Sequence, residues 1–490
     1  MDILVRALHS KGHSITVLRN TKSWYIKEDS SYYDSITVPI VQWRDKEFAK
    51  EIISKIFTIE QEGDSILNFI SMQLLVFSAT RNMHAVTCQV LSTMLEDRAL
   101  MQRLNESQFD LVLADPGYGD GIILAHYLKV PLVYNARFVL SEDGHFILAP
   151  SPVSYIPTMS SGLSDKMTFL ERVKNVLFYL KAQFQRRFIV RPVYQAVCDK
   201  YFEDKVDMNE LVQAADIWLM RVDFVFEFPR PTMPNVVYMG GFQCKPAQPL
   251  PQDLHDFVQS SGEHGVILMS LGTYVSDLPR DFADSIASAF AELPQKVIWR
   301  HIGERPSTLG NNTLLVKWIP QNDLLGNPQI RAFVAHGGGN GVQEAIYHGV
   351  PVLGIPLFFD QHDNLLRLEE KGGAKVLPIA SVNKANVLRA LQEVLHVSSY
   401  RQSMQRLSHL HRDQPVEPLD RALFWIQFVM RHKGAAHLRT ESYKMPWYSY
   451  HSLDVTLFLL VVLFLMLFIV FALVRCALLR LCGRSKSKKD

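Results

Sequence analysis

Cysteine is scarce in this sequence of 490 residues, and its charges nearly cancel. The 5 cysteines form no Cys-x-x-Cys pair, so neither a zinc site nor a disulfide framework is indicated, and no metal is expected. The formal net charge is +2; nothing in that balance favours a nucleic acid or another polyanion as a partner. The sequence shows no internal repeat, and its length leaves room for two domains or more.

The first twenty residues lack the features of a secretory signal. Met1 to Asn20 contains neither an apolar core nor a small-residue cleavage site. Instead, Asp2 to Ser10 predicts a helix, and Ser14 to Leu18 predicts a strand. A doubly wound domain normally opens with a strand before such a helix. We therefore expect a segment with a signal peptide and that strand to precede Met1. The alternative is a different topology, in which the chain is tail-anchored and its globular part lies in the cytosol.

One long apolar run lies near the other end. Val455 to Val474 is continuously apolar, and twenty helical residues span the roughly 30 Å of hydrocarbon in a bilayer. A buried core helix normally keeps a polar face, so the run predicts a membrane span. The basic residues after it predict a cytosolic tail at 475–490, with the bulk of the chain across the membrane. Lys486 to Asp490 fits either a KxKxx retrieval signal of the endoplasmic reticulum or a generic basic flank.

Glycines gather at one point of the carboxyl-terminal half. Ala332 to Ala335 predicts a strand that ends at His336, and the loop Gly337 to Gly341 leads into a helix that carries Glu344. Amides in such a loop, together with the positive end of the helix, favour a bound anion. His336 can donate to a phosphate oxygen. The alternative is a strand–helix turn that binds no ligand.

Residues around this loop favour a nucleotide diphosphate over an empty turn. Trp318 offers a flat face to a base, and a carboxylate at Glu344 can accept from ribose hydroxyls. Asn340 and Glu344 are four apart, so they share one face of the helix start. A second buried strand, Val350 to Ile355, leads to Asp360-Gln361.

Three stretches, WIPQNDLLGNP, HGGGNGVQEA and PLFFDQ, resemble the signature of the UDP-glucuronosyltransferases, membrane members of the UDP-glycosyltransferase superfamily. The resemblance runs over essentially the whole chain. It implies an α/β protein of the GT-B type, in which two doubly wound Rossmann-like domains face each other across a cleft, plus one C-terminal transmembrane helix. It also implies transfer of glucuronic acid from UDP-glucuronate to a hydroxyl of a small lipophilic acceptor, by direct displacement with inversion and without a cofactor.

The resemblance further implies a set of residues that bind the UDP-sugar. They are Ser270, Thr273, Arg300, Trp318, Gln321, His336, Gly338, Gly339, Asn340, Glu344, Asp360 and Gln361. In this set Trp318 would stack on uracil, Gln321 and Glu344 would hold the ribose, and Asp360-Gln361 would contact sugar hydroxyls. The other residues would surround the diphosphate. For Arg300, at the end of a predicted strand, the alternative is an ordinary surface charge.

Asp115 is the candidate catalytic residue in the amino-terminal half. Phe109 to Ala114 predicts a strand that places Asp115 at its carboxyl end, where an aspartate can also simply cap a loop. In the resembled family the matching aspartate orients a histidine that acts as general base. The sequence starts at or after the loop that would carry it, and neither His9 nor His13 matches by position. The alternative function is therefore a non-catalytic UDP-sugar-binding partner or a truncated form without the base.

Five segments are expected along the chain. They are an acceptor-binding domain at 1–234, a UDP-sugar-binding domain at 235–432, a juxtamembrane segment at 433–454, a transmembrane helix at 455–474 and a basic cytosolic tail at 475–490. The second domain would open with a strand at Val236 to Gly240, and the helix over Tyr400 to His432 would cross back onto the first domain. The expected location is the endoplasmic reticulum membrane. The expected partners are the UDP-sugar, the acceptor, the membrane and related transferases in an oligomer.

Two stretches of the first domain each fit more than one role. Ile66 to Phe77 fits the acceptor cleft, the bilayer surface or plain core packing. Lys166 to Arg191 mixes basic and aromatic residues, which suits an interfacial helix or a solvated helix face.

Overall fold

The computed structural model describes residues 1–486 apart from 22, 24–25, 40–45, 64, 138–148 and 273–277. Thr273 and the last four residues of the tail therefore lie outside the described residues. The chain divides into two compact units, Met1–Leu438 and Arg439–Asp490.

Parallel strands form the framework of the first unit. Several of them, such as β4, β5 and β7, are buried along their whole length, as expected for strands covered on both faces. The strands are β1 (Thr16–Asn20), β2 (Asp34–Val38), β3 (Val112–Ala114), β4 (Leu132–Ala136), β5 (Ile217–Met220), β6 (Val236–Tyr238), β7 (Val266–Ser270), β8 (Lys296–Arg300), β9 (Thr313–Val316), β10 (Ile330–Ala335), β11 (Val352–Gly354) and β12 (Ala374–Val376).

These strands make three sheets within the described residues. β1 and β2 pair with each other, the smaller sheet has the order β3-β4-β5-β6, and the larger sheet has the order β12-β11-β10-β7-β8-β9. All pairs are parallel. The larger sheet grows in one direction from β7 to β9 and in the other from β10 to β12. Its switch point therefore lies between β7 and β10, where such sheets bind ligands.

Helices connect the strands and cover the sheets. They are α1 (Asp2–Ser10), α2 (Lys46–Gln61), α3 (Ile66–Glu96), α4 (Arg98–Glu106), α5 (Asp120–Leu128), α6 (Phe169–Gln185), α7 (Arg191–Tyr201), α8 (Met208–Gln213), α9 (Gln252–Gln259), α10 (Arg280–Phe290), α11 (Gln321–Leu325), α12 (Gly339–His348), α13 (Gln361–Glu370), α14 (Lys384–His396), α15 (Ser398–Arg412), α16 (Pro418–His432), α17 (Trp447–Tyr450) and α18 (Leu453–Lys486). A π-helical turn, Arg186–Val190, joins α6 to α7.

The strand β6 corrects one expectation about the domain joint. The sequence predicts that this strand opens the second domain, but β6 pairs with β5 in the smaller sheet. Strand pairing is a long-range contact that the proline-rich run before β6 does not reveal. The break between the sheets therefore follows Tyr238, and the domain limits otherwise stay a prediction.

The return of the chain onto the smaller sheet is confirmed. The apolar face of α16 includes Ile426 and Val429, which are fully buried. It packs in one cluster with Ile217 and Leu219 of β5 and with Leu4 of α1. The carboxyl end of the first unit thus completes the core around the smaller sheet.

Two helices leave apolar side chains in contact with solvent. Ile66, Leu67 and Leu74 of α3 are exposed, as are Leu170 and Leu177 of α6. Met72 and Leu75 of α3 pack against the core, so core packing holds for one face of this part of α3 and not for the other. A large exposed apolar patch is typical of a surface that contacts a partner or a lipid.

In the second unit, α18 is the one helix among the described residues that is long and apolar enough to cross a membrane, over Leu453–Arg480. It contains the predicted span at 455–474. Length and composition carry this assignment.

Candidate functional site

The predicted diphosphate residues lie at the switch point of the larger sheet. Ala335, the last residue of β10, is paired in register with Ser270, the last residue of β7. The loops that follow these strands consequently meet: a Cβ added to Gly272 would lie 2.6 Å from His336 Nε2. Parallel strands bring their carboxyl ends to one edge, which is why residues far apart in sequence gather here.

His336 is neutral at physiological pH. Burial lowers the pKa of His336 to about 4, because the charged imidazolium is poorly solvated there. Its buried Nδ1 makes no hydrogen bond within the described residues. A buried polar atom without a partner is what a bound ligand or a water would satisfy. A neutral imidazole can donate from one ring nitrogen to a phosphate oxygen.

The start of α12 offers backbone amides beside this histidine. Gly338 is the cap residue of the helix, and no side chain caps it. A Cβ added to Gly339 would have 4.0 Å of clearance to its nearest neighbour, Asn364 Nδ2. Helix starts leave N–H groups unpaired and carry partial positive charge, so an anion is stabilised here. Gly338, Gly339 and Asn340 lie at this helix start, and their role toward a diphosphate stays a prediction.

The predicted ribose residues are in direct contact. Gln321 Nε2 donates to Glu344 Oε2 at 2.6 Å, which joins the start of α11 to α12. Burial raises the pKa of Glu344. Trp318, three residues before α11, is 71% exposed, so the face of its indole is available for stacking on a base.

The predicted sugar residues differ from each other in orientation. Asp360 Oδ2 accepts from Asn364 Nδ2 at 2.8 Å, and burial raises the pKa of Asp360. Gln361 is only 4% exposed. Its Oε1 accepts from the amides of Leu357 and Phe358, at 2.8 and 3.1 Å. Gln361 therefore holds its own turn with its carbonyl and retains only the amide NH₂ for a ligand.

Ser270 and Arg300 support the loop after β7. Ser270 is buried, and its hydroxyl accepts a 3.5 Å hydrogen bond from the Gly272 amide. Arg300 Nη1 donates to Gly272 O at 2.7 Å, and burial lowers the pKa of Arg300. Arg300 is thus more than a surface charge, since it fixes the loop that meets His336.

Asp115 stands at the carboxyl end of β3 in the smaller sheet. Its Oδ1 accepts from the Gly117 amide at 2.9 Å, which is a loop-capping contact. Its Oδ2 accepts from Arg137 Nε at 3.1 Å. The side chain is partly exposed, so the carboxylate can reach a group outside the loop that it caps.

Two residues of the site belong to no sequence motif. Arg221 follows β5 directly, and its Nη2 donates to Asn340 Oδ1 at 2.7 Å. It thereby joins the smaller sheet to the start of α12. Asn364 Nδ2 donates to both Gly337 O and Asp360 Oδ2, at 2.9 and 2.8 Å. The position of Arg221, at the carboxyl end of a buried strand, is the signal that could have found it.

The structure shows no cluster of three or more His, Cys, Asp and Glu side chains that could hold a metal ion, in the part of the chain that it describes.

Glycine amides, a buried neutral histidine and a buried carboxylate lie at the switch point of one parallel sheet, and a second parallel sheet is joined to them. This arrangement is that of the GT-B class of glycosyltransferases. CalG4, the calicheamicin glycosyltransferase, matches the fold with a TM-score of 0.58 at 18% identity, over 88% of this chain and 94% of that one. The glycosyltransferase VinC in complex with DTDP matches with a TM-score of 0.53 at 18% identity, over 88% and 95%.

The chain belongs to the family described as "UDP-glucoronosyl and UDP-glucosyl transferase", whose model matches residues 1–489. UDP-glucuronosyltransferase 2B1 of Rattus norvegicus is 43% identical over 503 residues, which cover 100% of this chain and 93% of that protein. UDP-glucuronosyltransferase 1A5 of Homo sapiens is 41% identical over 468 residues, which cover 95% and 86%. The chain is by this membership a hexosyltransferase, and the resemblance seen in the sequence is confirmed.

Proposed function

We propose that this chain transfers glucuronic acid from UDP-glucuronate to a hydroxyl group of a small lipophilic acceptor. The family name covers both glucuronosyl and glucosyl transfer, so the donor has to be argued from the site. The relatives compared above carry glucuronosyl transfer in their names. The observation that carries the choice is the placement of Arg221 against Asn340 of the diphosphate loop.

Arg221 favours a sugar that bears a carboxylate. Glucuronate differs from glucose by a carboxylate in place of the hydroxymethyl group. Burial, and next the neighbouring cation Arg137, lowers the pKa of Arg221 to about 10. The guanidinium therefore remains charged at neutral pH although it is buried. Burying a charge away from water costs free energy, and a bound anion would offset this cost. A hydrogen bond between two charged groups contributes about 1.5–3 kcal/mol.

The reaction would be a direct displacement with inversion. The acceptor oxygen attacks the anomeric carbon, the bond from that carbon to the β-phosphate oxygen breaks, and UDP leaves. The amides at the start of α12 and a donor nitrogen of His336 would stabilise the charge that develops on UDP. The proton of the acceptor passes to water or to a base that Asp115 would orient. Phenols have pKa values near 10, so they lose this proton more readily than alcohols.

We propose that the protein is bound to a membrane. α18 supplies a helix that is able to span a bilayer. The exposed apolar residues of α3 and α6 suit the surface of a bilayer, and the exposed Lys174 lies over the ring of Phe178 in α6. Lysines beside apolar faces extend their charge to the lipid headgroups. We place the protein in the endoplasmic reticulum membrane, with the tail on the cytosolic side.

The test is formation of glucuronides in membranes that contain this chain. UDP-glucuronate and a panel of simple phenols are supplied, and the conjugates are measured by mass spectrometry. The matched control is Asp360→Ala, which removes the carboxylate assigned to the sugar. Turnover in the parent chain that the control abolishes is the expected result. Absence of conjugate from a chain that binds UDP would contradict the proposal and favour a partner that only binds the UDP-sugar.

A further inference from the structure

We infer that Gln343 is a positioning residue for donor selection, because it fixes the backbone of Arg221. The inference depends on the proposed function, in which Arg221 reads the carboxylate of the sugar. It adds a residue of α12 that never contacts the donor. Gln343 acts through Arg221, and so it belongs to the selectivity of the site rather than to the chemistry.

The side-chain amide of Gln343 is committed to the chain segment that carries Arg221. Gln343 is 3% exposed. Its Nε2 donates to Arg221 O at 2.5 Å. Its Oε1 accepts from the Gly241 amide at 2.8 Å and from Gln243 Nε2 at 3.1 Å. A buried amide is favourable only when its hydrogen bonds are made, and here they are made across the joint between the two sheets.

Arg221 is consequently held at both ends by one helix. Asn340 accepts from its guanidinium, and Gln343, three residues further along α12, donates to its main-chain carbonyl. Residues three apart lie on the same side of a helix. The helix that offers its amides to the diphosphate therefore also sets the distance from the diphosphate to the cation.

A second contact beside Gln343 is independent of it. His411 Nδ1 and Asp223 Oδ2 are 2.5 Å apart in a buried pair that joins α15 to the residues after β5. Gly241 (φ +76°) is pressed against His411, since a Cβ at Gly241 would collide with the imidazole ring. The joint thus keeps one anchor when the amide of Gln343 is removed, and we expect such variants to fold.

The neutrality of Gln343 makes the inference testable. An uncharged, buried amide does not distinguish a carboxylate from a hydroxymethyl group by charge. A change at Gln343 that alters the preference between UDP-glucuronate and UDP-glucose must act through a charged group. A change that merely loosens the fold would weaken both donors and UDP together.

The experiment compares dissociation constants of UDP-glucuronate, UDP-glucose and UDP for the full chain. Binding is used because it does not require turnover. Gln343→Met keeps the length of the side chain and removes its hydrogen bonds. We expect the preference for UDP-glucuronate over UDP-glucose to fall about tenfold, with UDP affinity within about twofold of the parent. Gln243→Met, which removes the neighbouring amide and leaves the contact with Arg221, is the matched control and keeps the preference.

Arg221→Met separates the failure of the inference from the failure of the proposed function. If Arg221→Met leaves the preference unchanged, the donor assignment is wrong and the inference falls with it. If Arg221→Met lowers the preference and Gln343→Met does not, only the inference is overturned. The double variant Arg221→Met/Gln343→Met must change the preference no more than Arg221→Met alone does. The effects of residues that act as a unit are not additive. If Gln343→Met loses the same affinity for UDP-glucuronate, UDP-glucose and UDP, the inference is also overturned. Should Gln343→Met fail to fold, Gln343→Asn, too short for both contacts, takes its place under the same criteria.

Discussion

The amide of Gln321 and the carboxylate of Glu344 are 2.6 Å apart, although 23 positions separate them in the sequence. The contact joins the short helix α11 to α12, the helix that begins at the glycine loop after β10. It places a carboxylate and an amide side by side, and we propose that the pair binds the two neighbouring hydroxyls of a ribose. Trp318 precedes the same α11, so the residue proposed to stack on the base lies three positions before Gln321 of the ribose pair.

Replacement of Glu344 should weaken recognition of the ribose. We expect Glu344→Ala to raise the dissociation constant of UDP about 10–100-fold, because the loss of one hydrogen bond to a charged acceptor costs about 1.5–3 kcal/mol. The variant should also lose the preference for UDP over 2′-deoxy-UDP, which isothermal titration calorimetry can measure. Glu263→Ala, at an exposed position, serves as control. A preference that survives in Glu344→Ala would show that another group holds the ribose.

Asn364 should prove as sensitive as Asp360 itself. It donates to Gly337 O and to the Asp360 carboxylate, so Asn364→Asp would set two carboxylates against each other. The repulsion would push Asp360 away or protonate it. We expect affinity for the UDP-sugar to fall about 100-fold, with a smaller loss for UDP, when both are measured by competition binding. Asn311→Asp, at an exposed position, controls for the added charge; an unchanged affinity in Asn364→Asp would refute the contact.

Stability should depend on His336 between pH 6.5 and 4. Burial lowers the pKa of His336 to about 4, whereas an unfolded histidine titrates near 6.5. In this window the unfolded chain binds a proton that the folded chain does not, so stability falls as the pH falls. Thermal unfolding of the parent should lose more Tm across the window than His336→Gln does, by the equivalent of about 2–3 kcal/mol. If the Tm of the parent and the Tm of His336→Gln fall equally with pH, the lowered pKa of His336 is contradicted.

Asp115 should affect turnover and leave donor binding intact. It lies on the smaller sheet, whereas the predicted donor residues follow strands of the larger sheet. We expect Asp115→Asn to lower kcat about 10²–10⁴-fold, the usual range for loss of an acid–base group, with the dissociation constant of UDP unchanged. Steady-state kinetics with a phenol acceptor and titration with UDP together measure this. If Asp115→Asn lowers kcat and the affinity for UDP by the same factor, Asp115 serves only to cap its loop.

Much of this fold and site follows from the sequence because strand ends and glycine loops are local features. The sequence predicts Ser270, His336 and Asp360 at or beyond the carboxyl ends of buried strands, and the structure places them there. Side-chain direction is not local: Gln361 folds back onto its own turn because two amides need its carbonyl. Pairing is not local either, which is why the sequence alone assigns β6 to the wrong sheet.

Arg221, at the joint between the two sheets, is another residue whose contact cannot be predicted from local sequence. No motif surrounds it, and its importance appears only when Asn340, which follows a strand of the other sheet, is found 2.7 Å away. The exposed apolar face of α3 is a further case, since a run of apolar residues does not reveal whether protein, lipid or water lies next to it.

Competition between two donors tests the central claim most directly. Membranes that contain the chain are given equal concentrations of UDP-glucuronate and UDP-glucose with one phenol, and the two conjugates are separated by mass. The account predicts mainly glucuronide from the parent chain and a shift toward glucoside in Arg221→Met. Mainly glucoside from the parent, or an unchanged ratio in Arg221→Met, would contradict it.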